Sequence, residues 1–189
     1  MQYPDIRVLD GDGNDLPPMS KDGAHANPAV YCLCAHLWIY DSNGQVLLQK
    51  RALHNRLFPG RWDISAAGHV DAGEQPLEAM RRELAEELGV HAAASDFHFA
   101  GRRKGNALTP DGWIHNEFVD VYSYRLDVPL SKLHMQEEEV AALQWMPIDQ
   151  FEREVHDPAA YQAYVPHGIE YYEFVLAELR QQESGKRKG

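Results

Sequence analysis

The sequence predicts a mixed β-sheet covered by helices on both faces, an α/β/α sandwich of the α/β (α+β) class. Three observations carry this. Strand-like runs are interleaved with only two or three amphipathic helical segments, the pattern of a sheet closed between helices. Val30 to Tyr40 is a near-continuous apolar run, as a buried strand requires. The 189 residues suffice for one domain with a sizeable core and are too few for two comfortable ones.

In chain order, Ile6–Leu9 reads as a short strand entering the turn Asp10-Gly11-Asp12-Gly13-Asn14. Leu16 to Pro28, rich in Pro, Gly and polar residues, reads as connector. The Val30–Tyr40 strand turns at Asp41-Ser42-Asn43-Gly44 into a second strand, Gln45–Lys50, making a hairpin. Leu53–Gly60 is a loop, and Trp62–Ala67 a short strand leading to a helix over Pro76–Leu88. Pro76 suits the first helical turn and Gly89 the stop, while Leu77, Met80, Leu84 and Leu88 form one apolar stripe. Strands are expected at Phe97–Arg103, Ile114–Leu126 and Leu143–Met146, with a Gly105–Gly112 loop after the first. Ile148–Val155 reads as a short helix, and Ile169, Tyr172, Leu176 and Leu179 mark a closing one. The expected organisation is an N-terminal strand and connector (1–29), one domain (30–180) and a frayed basic tail (181–189).

The hydrophobic fraction of 44% and charged fraction of 25% are those of an ordinary globular protein. A net charge of -11 argues against binding nucleic-acid polymers or anionic membranes, so an anionic ligand must be met by metal and local Arg or Lys. No run reaches the ~18 apolar residues of a membrane span, and no signal-peptide core is visible. Cys32 and Cys34, two positions apart, share a strand face, but no second C-x-C or H-x-H completes a metal set. Buried reduced thiols and a cytoplasmic setting are therefore expected.

Chemistry concentrates in Gly68–Val90, G-H-V-D-A-G-E-Q-P-L-E-A-M-R-R-E-L-A-E-E-L-G-V. Glu83, Glu86 and Glu87 stand at i, i+3 and i+4, so three carboxylates share one helix face and repel one another. A hard divalent cation removes that conflict, since Mg2+ binds through carboxylate oxygens, waters and phosphates. A solvated acidic face is the ordinary reading of such a string taken alone.

The complete pattern, G-x5-E-x7-R-E-U-x-E-E-x-G-U with U aliphatic, resembles the Nudix box of enzymes that cleave nucleoside diphosphates linked to another group. At ~7% per residue type, seven exact matches arise by chance about once in 10^8 starts, which sets the acidic-face reading aside. The resemblance implies the Nudix α/β/α fold and a metal-dependent hydrolase using Mg2+ or Mn2+ on a small-molecule diphosphate. It also implies a ligand set of the Ala67 carbonyl, Glu83, Glu86 and Glu87, with Glu83 in some members the base that activates water. Gly68, Glu74, Arg82 and Gly89 are its structural positions, Glu74 as partner of Arg82.

Around the box, Arg51 and Arg61 are candidates for substrate phosphate, because charge builds on diphosphate oxygens as the P–O bond breaks. Arg102, Arg103 and Lys104 read as solvated loop charge. A carboxylate from outside the box comes from Glu117 or from Glu137-Glu138-Glu139. Alternation groups Glu117 with Val119 and Val121, opposite Phe118 and Tyr122, and favours it as a metal-site residue on the side of Glu83 and Glu87. Trp62, Trp113, Tyr161, Tyr164 and Tyr171 offer stacking surfaces, though core packing is their commoner use.

The stretch Leu57–Val70 and the pair Asn116-Glu117 are similar to the Nudix branch that contains isopentenyl-diphosphate isomerase. That branch carries a catalytic cysteine in a C-G-H triplet, which here reads Ala67-Gly68-His69. An alanine methyl exchanges no proton, so hydrolysis is expected and not isomerisation. His69 is left for a second metal or a hydrogen bond. Isomerase-like chemistry and a non-catalytic ligand-binding module are the alternatives, and a homodimer is left open.

Overall fold

The sheet is organised around one strand, β3 (Tyr31–Tyr40), in a computed structural model that describes residues 4–108 and 114–185. Along one edge, β3 pairs in parallel with β8 (Ile114–Arg125), from Cys32 opposite Glu117 to Tyr40 opposite Arg125. An antiparallel strand, β7 (Phe97–Leu108), covers the far side of β8. The other edge of β3 is shared. It takes β1 (Ile6–Leu9) at its start, β6 (Ala66–His69) in its middle and the hairpin partner β4 (Gln45–Arg51) at its end. β2 (Asp15–Met19) extends β1, and β5 (Trp62–Asp63) and β9 (Val140–Pro147) flank β4.

Because β3 is buried on both faces, its alternate residues feed two cores. Ala35, Leu37 and Ile39 pack with Met80, Leu84 and Leu88 of α2 (Pro76–Leu88) and with Tyr122 and Leu126. Cys32, Cys34 and Trp38 face the other way with Val119 and Val121. There they meet Phe151 of α3 (Ile148–His156) and Tyr172, Leu176 and Leu179 of α4 (Ile169–Gly185). Each such Leu or Met contributes roughly 1.5–3 kcal/mol by its burial. The result is the α/β/α sandwich with a mixed sheet. Pro76 opens α2, the Gln75 N–H donates to Glu78 Oε2 at 2.8 Å, and Gly89 closes it in the left-handed region at φ 68.

The structure departs from the sequence reading at several places. The 16–28 connector contains β2 and a one-turn helix, α1 (Lys21–His25), capped by Ser20 Oγ accepting from the Gly23 N–H. Residues 62–67 do not make one strand. Buried Ser65 interrupts them, donating to Leu47 O at 2.6 Å and accepting from the Ile39 N–H at 2.8 Å, so β5 pairs with β4 and β6 with β3. Arg102, Arg103 and Lys104 are not in a loop, because the ladder with β8 carries β7 to Leu108. The rest of the expected loop, 109–112, and Trp113 fall outside the described residues. Residues 181–185 are helical, α4 being tied to α3 by Arg180 on Asp149 and Glu152; 186–189 fall outside the described residues. Among the described residues no helix is long and apolar enough to cross a membrane.

Candidate functional site

β6 and α2 bring the box together. Glu83 lies against the Gly68 backbone, and Arg82 spans the group. Arg82 donates to Glu74 Oε1 at 2.9 Å, to Glu83 Oε1 at 2.7 Å and to the His69 carbonyl at 3.2 Å, with Glu86 at 3.5 Å. Burial raises the Glu83 carboxyl to about 7 against the pull of Arg82. Burial also drives Glu87 well above the usual carboxylate range, and the Glu83 and Glu139 carboxylates push it further. Glu86 is largely exposed, whereas Glu87 is only 2% exposed and its Oε2 has no hydrogen-bond partner among the described residues. A buried carboxylate oxygen with no donor beside two further carboxylates is the environment a divalent cation relieves.

A second set of donors gathers on the opposite face of the sheet. His25, Cys32 and His69 form one trio, and Cys34, His69 and Glu117 another, each with ligand atoms within 4.8 Å of one another. They come from α1, β3, β6 and β8, so the expectation that nothing completes a metal set with the two cysteines is corrected. The completing groups are remote in sequence and adjacent only through the sheet register. The His25 Nδ1–H donates to the Ile114 carbonyl at 2.9 Å, which leaves Nε2 as a lone pair 3.2 Å from His69 Nε2. Burial lowers His25 and brings His69 down to about 3, keeping both imidazoles neutral and able to ligate. Burial would raise Glu117, but His115, His69 and His36 hold it down at about 2. Burial pushes the Cys32 thiol up to about 12, so in the absence of a cation it stays protonated. The box carboxylates are not among the trios gathered to this distance.

Arg51 and Asp63 lie within electrostatic reach of Glu87, and Asp63 also within reach of His36. Arg51 donates to the Leu57 carbonyl at 2.8 Å and to Asp63 Oδ2 at 3.0 Å, while Asp63 Oδ1 accepts from His167 Nε2 at 2.7 Å. Arg61 holds the Tyr164 carbonyl at 3.1 Å and lies over the Phe58 ring. Both guanidinium groups thus have protein partners. A cavity of about 670 Å³ opens beside this group, lined among others by His36, Glu117, His167, Tyr171 and Phe174. Arg103 stacks on Phe174, Arg102 pairs with Asp120, and Lys104 donates to the Gly11 carbonyl, so none of the three is simple loop charge.

Sequence reasoning missed His25, Cys32, Cys34, Asp63, His115 and His167 as members of this region. The H-N-E triplet at 115–117, set two apart like the cysteines of β3, was the one local signal. Of the three later glutamates, treated alike in sequence, Glu139 stands within electrostatic reach of Glu83 and Glu87. Of the aromatic candidates, Tyr164 is core, with its hydroxyl on Glu154, whereas Tyr171 lines the cavity.

The NUDIX domain family matches residues 31–165. The chain is 37% identical over 145 residues to Nudix hydrolase 3 of Arabidopsis thaliana, covering 74% of this chain but only 18% of that protein. It is 32% identical over 147 residues to the isopentenyl-diphosphate Delta-isomerase of Mycolicibacterium vanbaalenii, covering 75% of this chain and 76% of that one. Its fold is similar to the crystal structure of DR0079 from Deinococcus radiodurans, with a TM-score of 0.67 at 20% identity over 93% of this chain and 97% of that one.

Proposed function

The chain belongs to the NUDIX domain family, and from that premise we propose that it is a metal-dependent hydrolase of a diphosphate linkage. The linkage is that of a nucleoside diphosphate derivative or a related organic diphosphate. The observation that carries this is the buried, donorless Glu87 carboxylate beside Glu83, on a helix whose box is complete. Glu83, Glu86, Glu87 and the Ala67 carbonyl would hold Mg2+ or Mn2+, hard cations suited to oxygen donors. When bound, such a cation stabilises charge on the diphosphate oxygens.

The chain's own groups supply the rest. Glu83 either ligates with the others or serves instead as the base that takes a proton from the attacking water. Its burial, which raises its carboxyl to about 7 in the cation-free protein, supports that role. Arg82 positions Glu83 and neutralises its neighbours. Arg51 lies within electrostatic reach of Glu87 and fixes Asp63 at the inner end of the site. The products are two phosphate esters, or an alcohol monophosphate and phosphate. The His25, Cys32, Cys34, His69 and Glu117 group has the nitrogen and sulfur donors that suit a softer cation such as Zn2+. Domain limits of 30–180, with the N-terminal hairpin added to the same sheet, belong to this reading.

Similarity to isopentenyl-diphosphate Delta-isomerases favours that branch as the origin of the chain. Ala67 in the triplet before His69 argues that the isomerase chemistry has been lost and the diphosphate machinery kept. A screen of nucleoside diphosphate sugars, dinucleotides, nucleotides and isoprenoid diphosphates, with Mg2+ and with Mn2+, tests the proposal by released phosphate or monophosphate. Absence of turnover across the panel at pH 7–9 would refute it.

A further inference from the structure

The lining of the cavity, which includes His36, Glu117, His167 and Tyr171, is more polar than a hydrocarbon can use, and His167 leads from it to a buried carboxylate. Asp63 is buried and saturated: Oδ2 accepts from Arg51 at 3.0 Å, and Oδ1 accepts from the Ile64 N–H at 2.9 Å and from His167 Nε2 at 2.7 Å. Since a carboxylate only accepts, Nε2 must carry the proton. His167 therefore has one ring nitrogen committed to the protein, and its Nδ1 has no hydrogen bond among the described residues. The ring is also held in place by neighbours, with Tyr171 at 5.1 Å and His36 at 5.5 Å between centroids. Tyr171 is fixed in turn, bonded to Trp38 Nε1 at 3.1 Å and His36 Nδ1 at 2.7 Å. His167, His36, Glu117 and Tyr171 all line the same cavity.

An imidazole aimed by a buried carboxylate costs a core position to maintain. A purely structural partner for Asp63 was already present in Arg51. A ligand group without polar atoms would strip water from His167 Nδ1 and return no hydrogen bond, whereas one bearing an N–H or O–H group pairs with it. Sites built around such pairing discriminate steeply against analogues that lack the polar group.

We infer that His167, positioned by Asp63, selects the organic half of the substrate, and that this half bears hydroxyl or amino groups, as a nucleoside does, and is not a hydrocarbon. This rests on the diphosphate-hydrolase reading for the placement of the phosphates. His167 is the contact residue and Asp63 its positioning residue.

The test is calorimetric binding, with Mg2+, of α,β-methylene adenosine diphosphate and of isopentenyl diphosphate to the full chain, with its His167→Phe and Asp63→Asn variants alongside. The wild type is expected to prefer the nucleoside compound by about 30-fold or more. His167→Phe should bring the ratio to within about threefold of unity, and Asp63→Asn should cut it about tenfold while shifting the nitrogen resonances of the His167 ring. A wild-type ratio near or below one, or binding of neither compound, overturns the inference. So does a ratio retained in folded His167→Phe or, should that variant not fold, in His167→Ala. A protein that shows the expected ratios but hydrolyses no diphosphate defeats the hydrolase reading alone. Ratios near one in an active hydrolase defeat this one alone.

Discussion

A Cβ placed on Gly68 would stand 1.9 Å from Glu83 Oε1 and 2.6 Å from its Cγ. The first box glycine is therefore the space that the Glu83 side chain occupies. Gly68→Ala must rotate Glu83 out of position while leaving the core of α2 untouched. Turnover should fall on the order of 10^2-fold, the cost of misplacing a reacting group by about an ångström. Thermal melting should change little. Near-normal kcat in this variant would show that Glu83 has no part in the chemistry.

Glu86→Gln and Glu87→Gln should each remove most metal-dependent turnover, by about 10^2-fold or more. The two differ in stability. Glu87 is buried and its carboxyl is pushed well above the usual range, so replacing this ionisable group by an amide should raise the melting temperature of the metal-free protein near neutral pH. Glu86 is exposed, and its replacement should leave melting nearly unchanged. Retention of activity in either variant with a turned-over substrate removes that residue from the metal site.

The raised carboxylates also predict a pH dependence with a definite sign. Glu83 has a folded value of about 7 against an ordinary 4.5, so the folded state holds its proton more tightly than the unfolded chain. Its contribution is fully present below 4.5 and is lost as pH rises through 7. His36 and His69, lowered to about 4 and about 3 from 6.5, act oppositely, their contribution being present above 6.5 and lost on acidification. Above pH 6.5 the carboxylates dominate. With chelator present, the melting temperature should fall from pH 6.5 to 8, and Glu83→Gln should flatten the fall. Mg2+ affinity should rise up to about tenfold per unit until pH 7, because the cation displaces the proton. A wild-type melting temperature that rises across this interval contradicts the assignment.

What was legible in the sequence was local. The 3.6-residue stripe and the flanking Pro76 and Gly89 defined α2 to the residue. Alternation on β8 correctly separated Val119 and Val121 from Phe118 and Tyr122. The second donor set was not legible, because His25 sits on a helix of five residues whose only local signal is Ser20. Its approach to Cys32 and His69 depends on three strand pairings that no spacing reports. The Asp63–His167 pair spans 104 positions and was equally out of reach.

Ala67 makes a prediction about reaction type. Its side chain cannot supply or remove a proton, so the wild-type protein should not interconvert isopentenyl and dimethylallyl diphosphates. Exchange of solvent deuterium into either compound, followed by NMR, is the sensitive check. Incorporation above a protein-free blank would restore the isomerase reading.

Glu117 should matter for activity in a way that Glu137 and Glu138 do not. It lies with Cys34 and His69, on the face opposite the one where α2 packs and not, as expected from the sequence, on the side of Glu83 and Glu87. Against burial, the hydrogen bond with His115 leads the interactions that hold its carboxyl down at about 2. A carboxylate, an imidazole and a thiol within 4.8 Å of one another are donors able to share one divalent cation. Glu117→Gln is expected to lower turnover by on the order of 10^2-fold and to weaken Co2+ binding, read from the thiolate charge-transfer band that Cys34 would give. Glu137→Gln and Glu138→Gln should stay within about twofold of wild type, as solvated charges do. Glu139→Gln should behave differently from both. Its charge helps to raise Glu83 and Glu87, so its loss should move the acid limb of the activity profile to lower pH. If Glu117→Gln keeps full activity while Glu139→Gln abolishes it, the external carboxylate of this site comes from the loop before β9 and not from β8.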